Sequence, residues 1–160
     1  TGGQNYARMI HFGPFWGSDD AFGITALDNV APGKITFVSY KLGSSRLCIS
    51  TTTVSLNTWY HVAVTRSAGV FRLFLDGVLE STNSSYVGVA IESSSTNTLA
   101  IGSATTTSGG EDLAGYIDDV RITKGVARYT GNFTPPTEAF PNPVPPYAQS
   151  VIANVSGVTM

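Results

Sequence analysis

Charged residues are scarce in this chain of 160 residues, since Asp, Glu, Lys and Arg together make up only 12% of it. Nine Lys and Arg stand against eleven Asp and Glu, which gives a formal net charge of -2. The sequence contains no basic run that could neutralise a row of phosphates. The composition therefore argues against nucleic acid as a partner.

Cysteine is almost absent, because Cys48 in R-L-C-I-S is the only one. One cysteine excludes an intrachain disulfide and any metal site built from several thiolates. We expect Cys48 to be a small buried apolar side chain. A domain without disulfides depends on its core alone, which favours a microbial or viral source over an animal secreted protein.

Long apolar runs and helical periodicity are missing as well. No stretch of 18 apolar residues and no basic start followed by an apolar segment occurs, so we expect neither a membrane span nor a signal peptide. The chain begins with Thr1 rather than Met, and we expect it to be a piece of a longer protein. No window repeats apolar residues at helical spacing, which argues against helices.

Hydroxyl groups and short apolar runs take the place of charge. The chain has 17 Ser and 19 Thr, and Gly, Asn, Asp, Ser and Pro separate its apolar runs, a pattern typical of strands and turns. The nine predicted strands are residues 6–12, 21–27, 34–42, 46–50, 58–67, 70–76, 78–82, 98–103 and 115–123. Nine short strands predict a sandwich or a barrel.

The clearest pattern covers residues 58–82, T-W-Y-H-V-A-V-T-R-S-A-G-V-F-R-L-F-L-D-G-V-L-E-S-T. It predicts three successive antiparallel strands joined by turns at residues 67–69 and at Asp76-Gly77, a pair that tolerates the positive φ angles of a tight hairpin. Trp59 opens the first of these strands, and we expect it to be buried. Arg72 lies between apolar neighbours in the second, which suits a strand with one face in solvent.

Two stretches of this sequence resemble a known family. W-Y-H-V-A-V-T followed by R-L-F-L-D-G, and G-Y-I-D-D-V-R-I-T at residues 115–123, resemble the laminin-G-like branch of the concanavalin A-like lectin/glucanase superfamily. The continuation K-G-V-A-R-Y-T-G-N-F-T-P-P-T-E-A-F-P is similar to the C-terminal edge of such domains in bacteriophage tail and virion proteins and in related bacterial surface proteins. The resemblance implies an all-β fold, a two-sheet antiparallel jelly-roll β-sandwich.

The resemblance also suggests how the chain is divided. Residues 1–133 are predicted to form the jelly-roll domain, and residues 134–160 a Pro-rich exit linker with a C-terminal tail. Such domains open with a strand that carries an aromatic F-x-W motif, which is missing here. We therefore expect this first strand to precede residue 1 or to come from elsewhere.

Catalysis finds little support in the sequence. Glycoside hydrolysis needs two carboxylates about 5 to 10 Å apart, and neither a suitable pair on one strand nor the E-x-D-x-x-E pattern of the superfamily's glucanases occurs. Asp118 and Asp119 are adjacent and so face opposite ways on a strand. A structural role, pinning a loop or pairing with Arg121, is favoured for them. We expect His61 to be a packed, hydrogen-bonded residue and the protein not to be an enzyme.

Sugar binding is the better-supported chemistry, because it needs exposed aromatic faces beside hydroxyl, amide and carboxylate groups. The segment H-F-G-P-F-W-G-S-D-D at residues 11–20 has that mixture, and it supplies Trp16, Asp19 and Asp20 as predicted glycan-binding residues. Tyr86 in N-S-S-Y-V-G is a further candidate. The alternative is that Trp16 packs beneath its own loop.

Calcium is the metal that the resemblance suggests, since relatives of this fold bind Ca²⁺ through loop carboxylates and backbone carbonyls. The oxygen-rich candidates are Ser18-Asp19-Asp20, Asp28-Asn29 and Glu111-Asp112. Turn chemistry explains the same residues without a metal, because Asp and Asn hydrogen-bond to their own backbone. Bound Ca²⁺ and a metal-free turn both stay open at each place.

Three classes of function follow from these observations. The first is a non-catalytic carbohydrate-binding, receptor-binding or display module of a phage virion protein, in a tail fibre or head appendage. The second is a structural decoration or assembly domain of a virion, and the third a carbohydrate-active enzyme. The expected partners are host-surface glycans or other virion proteins, with a homo-oligomer such as a trimer supplying avidity. The expected location is the virion, with a bacterial surface or secretion as the alternative.

Overall fold

The computed structural model describes residues 7–13, 22–26, 31–39, 45–89, 98–103 and 111–140. Within these ranges the chain forms eight β-strands, no helix, and thus no helix able to cross a membrane. The strands are β1 (Ala7–Phe12), β2 (Phe22–Ala26), β3 (Ile35–Ser39), β4 (Ser45–Ile49), β5 (Val62–Ser67), β6 (Val70–Leu75), β7 (Val78–Asn83) and β8 (Leu99–Ile101). The predicted all-β fold is confirmed.

The strands form two antiparallel sheets that enclose one core. One sheet has five strands in the order β4-β3-β2-β1-β8, and the other has three in the order β5-β6-β7. The Phe37 ring of the first lies 5.4 Å from the Phe71 ring of the second, centroid to centroid. The buried core consists of Ile35, Phe37, Leu47, Cys48, Phe71, Leu73 and Leu75. Cys48 is a free, buried cysteine, and its burial confirms the prediction.

Two tight turns connect the strands of the three-stranded sheet. Ala68 and Gly69 have φ angles of 49° and 79°, and Asp76 and Gly77 have φ angles of 49° and 80°. Two successive positive φ angles define the type I′ turn, whose twist matches that of the strands it joins. Both predicted hairpins are therefore confirmed.

The C-terminal segment covers the outer face of the three-stranded sheet. Phe74 of β6 points away from the core yet is fully buried, at 0% exposure. The rings of Tyr129 and Phe133 stack on each other with centroids 3.5 Å apart, and each meets the Phe74 ring edge-on. With His61, these residues form what we call the outer aromatic cluster. The expectation that this face lies in solvent is thus wrong at Phe74.

The ninth predicted strand, residues 115–123, does not form. Asp119 has a positive φ of 49°, and its backbone N–H donates to the Asp118 carboxylate at 2.8 Å. A left-handed residue in mid-segment interrupts the extended backbone that a strand requires. The Asp118 carboxylate is thus bonded to its own neighbour, whereas the Arg121 guanidinium lies over the Phe140 ring, 3.2 Å from its centroid, and among the described residues it is not in an ion pair with Asp118 or Asp119.

Contacts continue beyond the predicted domain boundary at residue 133. A β-carbon placed on Gly77 would lie 3.0 Å from Pro135 Cδ, and Phe140 meets Arg121 as described. The first part of the Pro-rich segment therefore packs on the sandwich. Residues 141–160 lie outside the described part of the chain.

Candidate functional site

Trp59 is a strongly exposed aromatic side chain at one end of the three-stranded sheet. It lies in the connection from β4 in one sheet to β5 in the other, and 67% of its surface is accessible, beside Leu56 at 81%. The prediction that Trp59 is buried is wrong. Strand β5 begins at Val62, so Trp59 precedes the strand. The first ring of this segment in the outer aromatic cluster is that of His61, two residues after Trp59.

A carboxylate from the neighbouring strand anchors the start of this connection, residues 51–59, which we call the Trp59 loop. Glu80 Oε2 accepts hydrogen bonds from the backbone N–H groups of Thr51 at 2.7 Å and Thr52 at 2.8 Å, and both hydroxyls also donate to the carboxylate. Burial alone would raise the pKa of the Glu80 carboxyl, but these hydrogen bonds outweigh it and hold the pKa below its usual value. The loop is thereby tied to β7.

Further hydrogen bonds fix the middle of the Trp59 loop. The Val54 N–H donates to the Gly33 carbonyl at 2.8 Å, and the Ser55 N–H donates to the Tyr60 hydroxyl at 3.0 Å. The Tyr60 ring packs against the core. Trp59 is therefore presented to solvent by a loop that is held at several points, which lowers the entropy that a ligand would have to overcome.

An exposed carboxylate lies beside this loop. Asp76 Oδ1 accepts a hydrogen bond from the His61 N–H at 2.7 Å, and the Asp76 N–H donates to the His61 carbonyl at 2.8 Å. Asp76 is in the turn between β6 and β7, at the same end of the sheet as the Trp59 loop. An indole face for stacking and a carboxylate for accepting hydroxyl protons are the groups from which sugar sites are built.

The predicted glycan-binding residues have different outcomes. Trp16, Asp19 and Asp20 lie outside the described residues, so they stay predictions. Tyr86 is half-buried, and its ring packs against the core near the Ala68-Gly69 turn. That turn and the Trp59 loop are at opposite ends of β5, so the structure does not bring Tyr86 and Trp59 together.

Sequence reasoning missed both groups of this site. Alternation in T-W-Y-H-V-A-V-T assigned Trp59 to a strand face, although the strand starts three residues later. The Asp76-Gly77 pair predicts a turn, but nothing in the sequence indicates that the Asp76 carboxylate lies next to the end of the Trp59 loop. The sequence signal for an exposed Trp59 is its polar setting, because Ser55, Asn57 and Thr58 precede it.

Calcium ligands are not assembled in the part of the chain that is described. Glu111 Oε2 pairs with the buried Arg8 guanidinium at 3.4 Å, which occupies one candidate carboxylate. No group of three or more His, Cys, Asp or Glu side chains able to hold a metal ion occurs among the described residues. The Ser18-Asp19-Asp20 and Asp28-Asn29 candidates lie outside them, and calcium stays a prediction.

Neither histidine is placed as a catalytic base. His11 is 1% exposed, and burial, with a contribution from the positive charge of Arg8, lowers its pKa to about 4. His61 packs edge-on against Phe133 with ring centroids 5.4 Å apart, which confirms its predicted packing. Its hydrogen bonds to Asp76 run through the backbone, and its Nδ1 has no partner within the described ranges.

A family comparison agrees with this architecture. Residues 2–128 match a laminin-G-type family model described as the Concanavalin A-like lectin/glucanases superfamily. No curated protein matches the chain. A crystal structure of an S-layer domain-containing protein from Clostridium thermocellum is 22% identical, with a TM-score of 0.33, over 84% of this chain and 61% of that chain.

Because a TM-score of 0.33 is too low to support a fold assignment, the assignment of this chain to a family rests on the family model alone. The chain spans less than two thirds of the S-layer domain-containing structure. The match at residues 2–128 takes in all eight strands and both hairpin turns. Sequence and architecture agree, and the chain belongs to the Concanavalin A-like lectin/glucanases superfamily.

Proposed function

We propose that this domain is a non-catalytic carbohydrate-binding or receptor-binding module and that the Trp59 loop carries its glycan site. The observation that supports this most is the 67% exposure of the Trp59 indole on a loop tied down by hydrogen bonds. An apolar ring of this size has a free-energy cost in water unless something covers it. The apolar face of a sugar is a suitable cover, because it leaves the hydroxyl groups free to bond with nearby polar side chains.

The engaged carboxylates support a binding role over a catalytic one. Hydrolysis of a glycosidic bond needs one carboxyl group to donate a proton and a second to act as base or nucleophile. Glu80 is held by Thr51 and Thr52, and Glu111 is held by Arg8. Both glutamates therefore have structural contacts, which argues against these two as a catalytic pair.

The wider setting that we propose is an exposed part of a phage particle, a tail fibre or head appendage. The resemblance of residues 124–141 to virion proteins, the lack of a disulfide and the Pro-rich exit motivate it. A single aromatic site binds sugar weakly, so several linked copies would be needed for attachment, which favours a homo-oligomer such as a trimer.

Structural decoration of a virion is the second candidate, and a separate observation favours it. Tyr116 is 88% exposed, Ile122 64% and Val126 67%, all outside the strands. Contiguous apolar patches mark contact surfaces between proteins, and these three side chains come from one stretch of eleven residues. This role predicts contacts with neighbouring subunits rather than with glycans.

One binding experiment separates the two roles. The domain is displayed in many copies on beads and applied to an array of immobilised neutral and anionic oligosaccharides. Trp59→Ala should abolish binding, while Tyr116→Ala, which removes an aromatic group that is exposed even more, should leave it unchanged. If the clustered domain binds no glycan, or binds equally well without Trp59, the proposed site is wrong and decoration becomes the better account.

A further inference from the structure

We infer that the Asp76 carboxylate is the hydrogen-bonding partner in the Trp59 site and that the site takes neutral rather than acidic sugars. This inference rests on the proposed function, since it assigns chemistry to the same surface. Its basis is the position of Asp76 relative to Trp59, its hydrogen bonding, and the state of the other charged groups on the Trp59 loop.

The strand register brings Asp76 close to Trp59. Val62 of β5 pairs with Leu75 of β6, so the preceding residue, His61, lies opposite Asp76. The His61 N–H and carbonyl both bond to Asp76, and Trp59 lies two residues before His61, a length of chain that spans at most about 7 Å. A sugar ring stacked on Trp59 therefore lies close enough for its hydroxyl groups to meet the Asp76 carboxylate.

The Asp76 carboxylate is oriented and still has an oxygen to offer. Its Oδ1 accepts the His61 N–H at 2.7 Å, and within the described ranges its Oδ2 has no hydrogen-bond partner. The residue is exposed to solvent. Because one oxygen is already fixed by the backbone, little side-chain entropy is lost when the other accepts a hydroxyl proton.

The remaining charges tied to the Trp59 loop are already engaged. Glu80 accepts hydrogen bonds from Thr51 and Thr52, and Lys34 Nζ donates to the Thr51 carbonyl. Hydrogen bonds to neutral groups leave these charges in place, so the two carboxylates of Asp76 and Glu80 stand against the one ammonium group of Lys34 and the balance of these three charges is negative. A carboxylated or sulfated sugar would be repelled there, whereas a neutral pyranose offers only hydrogen-bond donors and acceptors.

The test compares two matched aspartate variants. Asp76→Asn keeps an oxygen for the His61 N–H, and Asn-Gly forms the same type of turn, so the fold should be retained. Asp118→Asn is the control, because Asp118 is also exposed and accepts one backbone N–H, from Asp119 at 2.8 Å. The probes are immobilised trisaccharides of glucose, galactose and mannose, with sialyllactose as the acidic sugar, applied to the bead-clustered domain.

We expect Asp76→Asn to weaken binding to the neutral trisaccharides by about tenfold or more, and Asp118→Asn to leave it unchanged. Unchanged binding by Asp76→Asn, together with lost binding by Trp59→Ala, would overturn the inference and leave the proposed function standing. A Trp59-dependent preference for sialyllactose would overturn the assignment to neutral sugars. Glycan binding that ignores Trp59, or no binding to any probe, would refute the proposed function and this inference with it.

Discussion

The backbone N–H of Phe133 donates a 2.9 Å hydrogen bond to the carbonyl of Gly77. The Phe133 carbonyl oxygen would lie only 1.9 Å from a β-carbon placed on Gly77. The turn between β6 and β7 and the C-terminal segment thus approach as closely as only glycine allows. This approach holds the Tyr129 and Phe133 rings over Phe74.

Gly77→Ala should therefore destabilise the domain far more than the same change at Gly88. Both glycines have positive φ angles, 80° at Gly77 and 81° at Gly88, but a β-carbon on Gly88 meets nothing within 4 Å. We expect Gly88→Ala to lower the free energy of unfolding by about 1 kcal/mol and Gly77→Ala by at least about 2 kcal/mol more. Urea denaturation followed by fluorescence measures both, and equal losses would contradict the close approach.

Phe74→Ala should lower stability strongly, whereas Trp59→Ala should hardly change it. Phe74 is fully buried beneath the C-terminal segment, and its truncation should lower the free energy of unfolding by about 3 to 5 kcal/mol. Trp59 is exposed, and its truncation should change that energy by less than about 0.5 kcal/mol. A loss of several kcal/mol in Trp59→Ala, measured by the same denaturation, would show that the indole is buried after all.

Acidification should destabilise the domain through His11. The pKa of the buried imidazole is lowered to about 4, so in the unfolded chain it takes up a proton near its usual pKa of about 6.5, well before the folded chain does. Stability is therefore full above pH 6.5 and falls toward pH 4, by up to about 3 kcal/mol. His11→Gln should flatten this part of the profile of unfolding free energy against pH. If the profile of His11→Gln keeps its slope, the loss of stability in acid comes from titratable groups other than His11.

Glu80→Gln should weaken the anchor of the Trp59 loop. The pKa of Glu80 is lowered in the folded state, so its stabilisation is present above the usual carboxyl pKa and is lost as pH falls through the lowered value. At pH 7 we expect a loss of about 1 kcal/mol in the free energy of unfolding, which shrinks in acid. Glu138→Gln, at an exposed position, is the control. An equal loss of unfolding free energy in Glu138→Gln would show that Glu80 does not anchor the loop.

Local patterns in the sequence were sufficient for the strands and the turns of the three-stranded sheet. Ala68-Gly69 and Asp76-Gly77 supply positive φ angles at fixed places. The apolar alternation between these turns is compatible with only one pairing register of the strands. Residues 115–123 have the same alternation, yet Asp119 takes a left-handed conformation, so the pattern alone misled.

Contacts between distant segments explain the errors over burial. Phe74 is buried only because Tyr129 and Phe133, far along the chain, fold over it, and nothing in R-L-F-L-D-G indicates this. Trp59 is exposed because its loop is held by Glu80, 28 residues beyond Thr52. Such long-range contacts have no periodic signature in the sequence, and they decide which aromatic residue is available to a ligand.

The exposed Trp59 indole as a sugar-stacking surface is the central claim, and nuclear magnetic resonance tests it most directly. The chain has two tryptophans, so a nitrogen-15 correlation spectrum contains two indole Nε1–H signals, which Trp59→Phe assigns. Titration with the neutral trisaccharide that binds best should shift the Trp59 signal saturably, while the Trp16 signal reports separately on the glycan-binding role predicted for Trp16. A stationary Trp59 signal while that of Trp16 moves, or two stationary signals at saturating sugar, would contradict the claim.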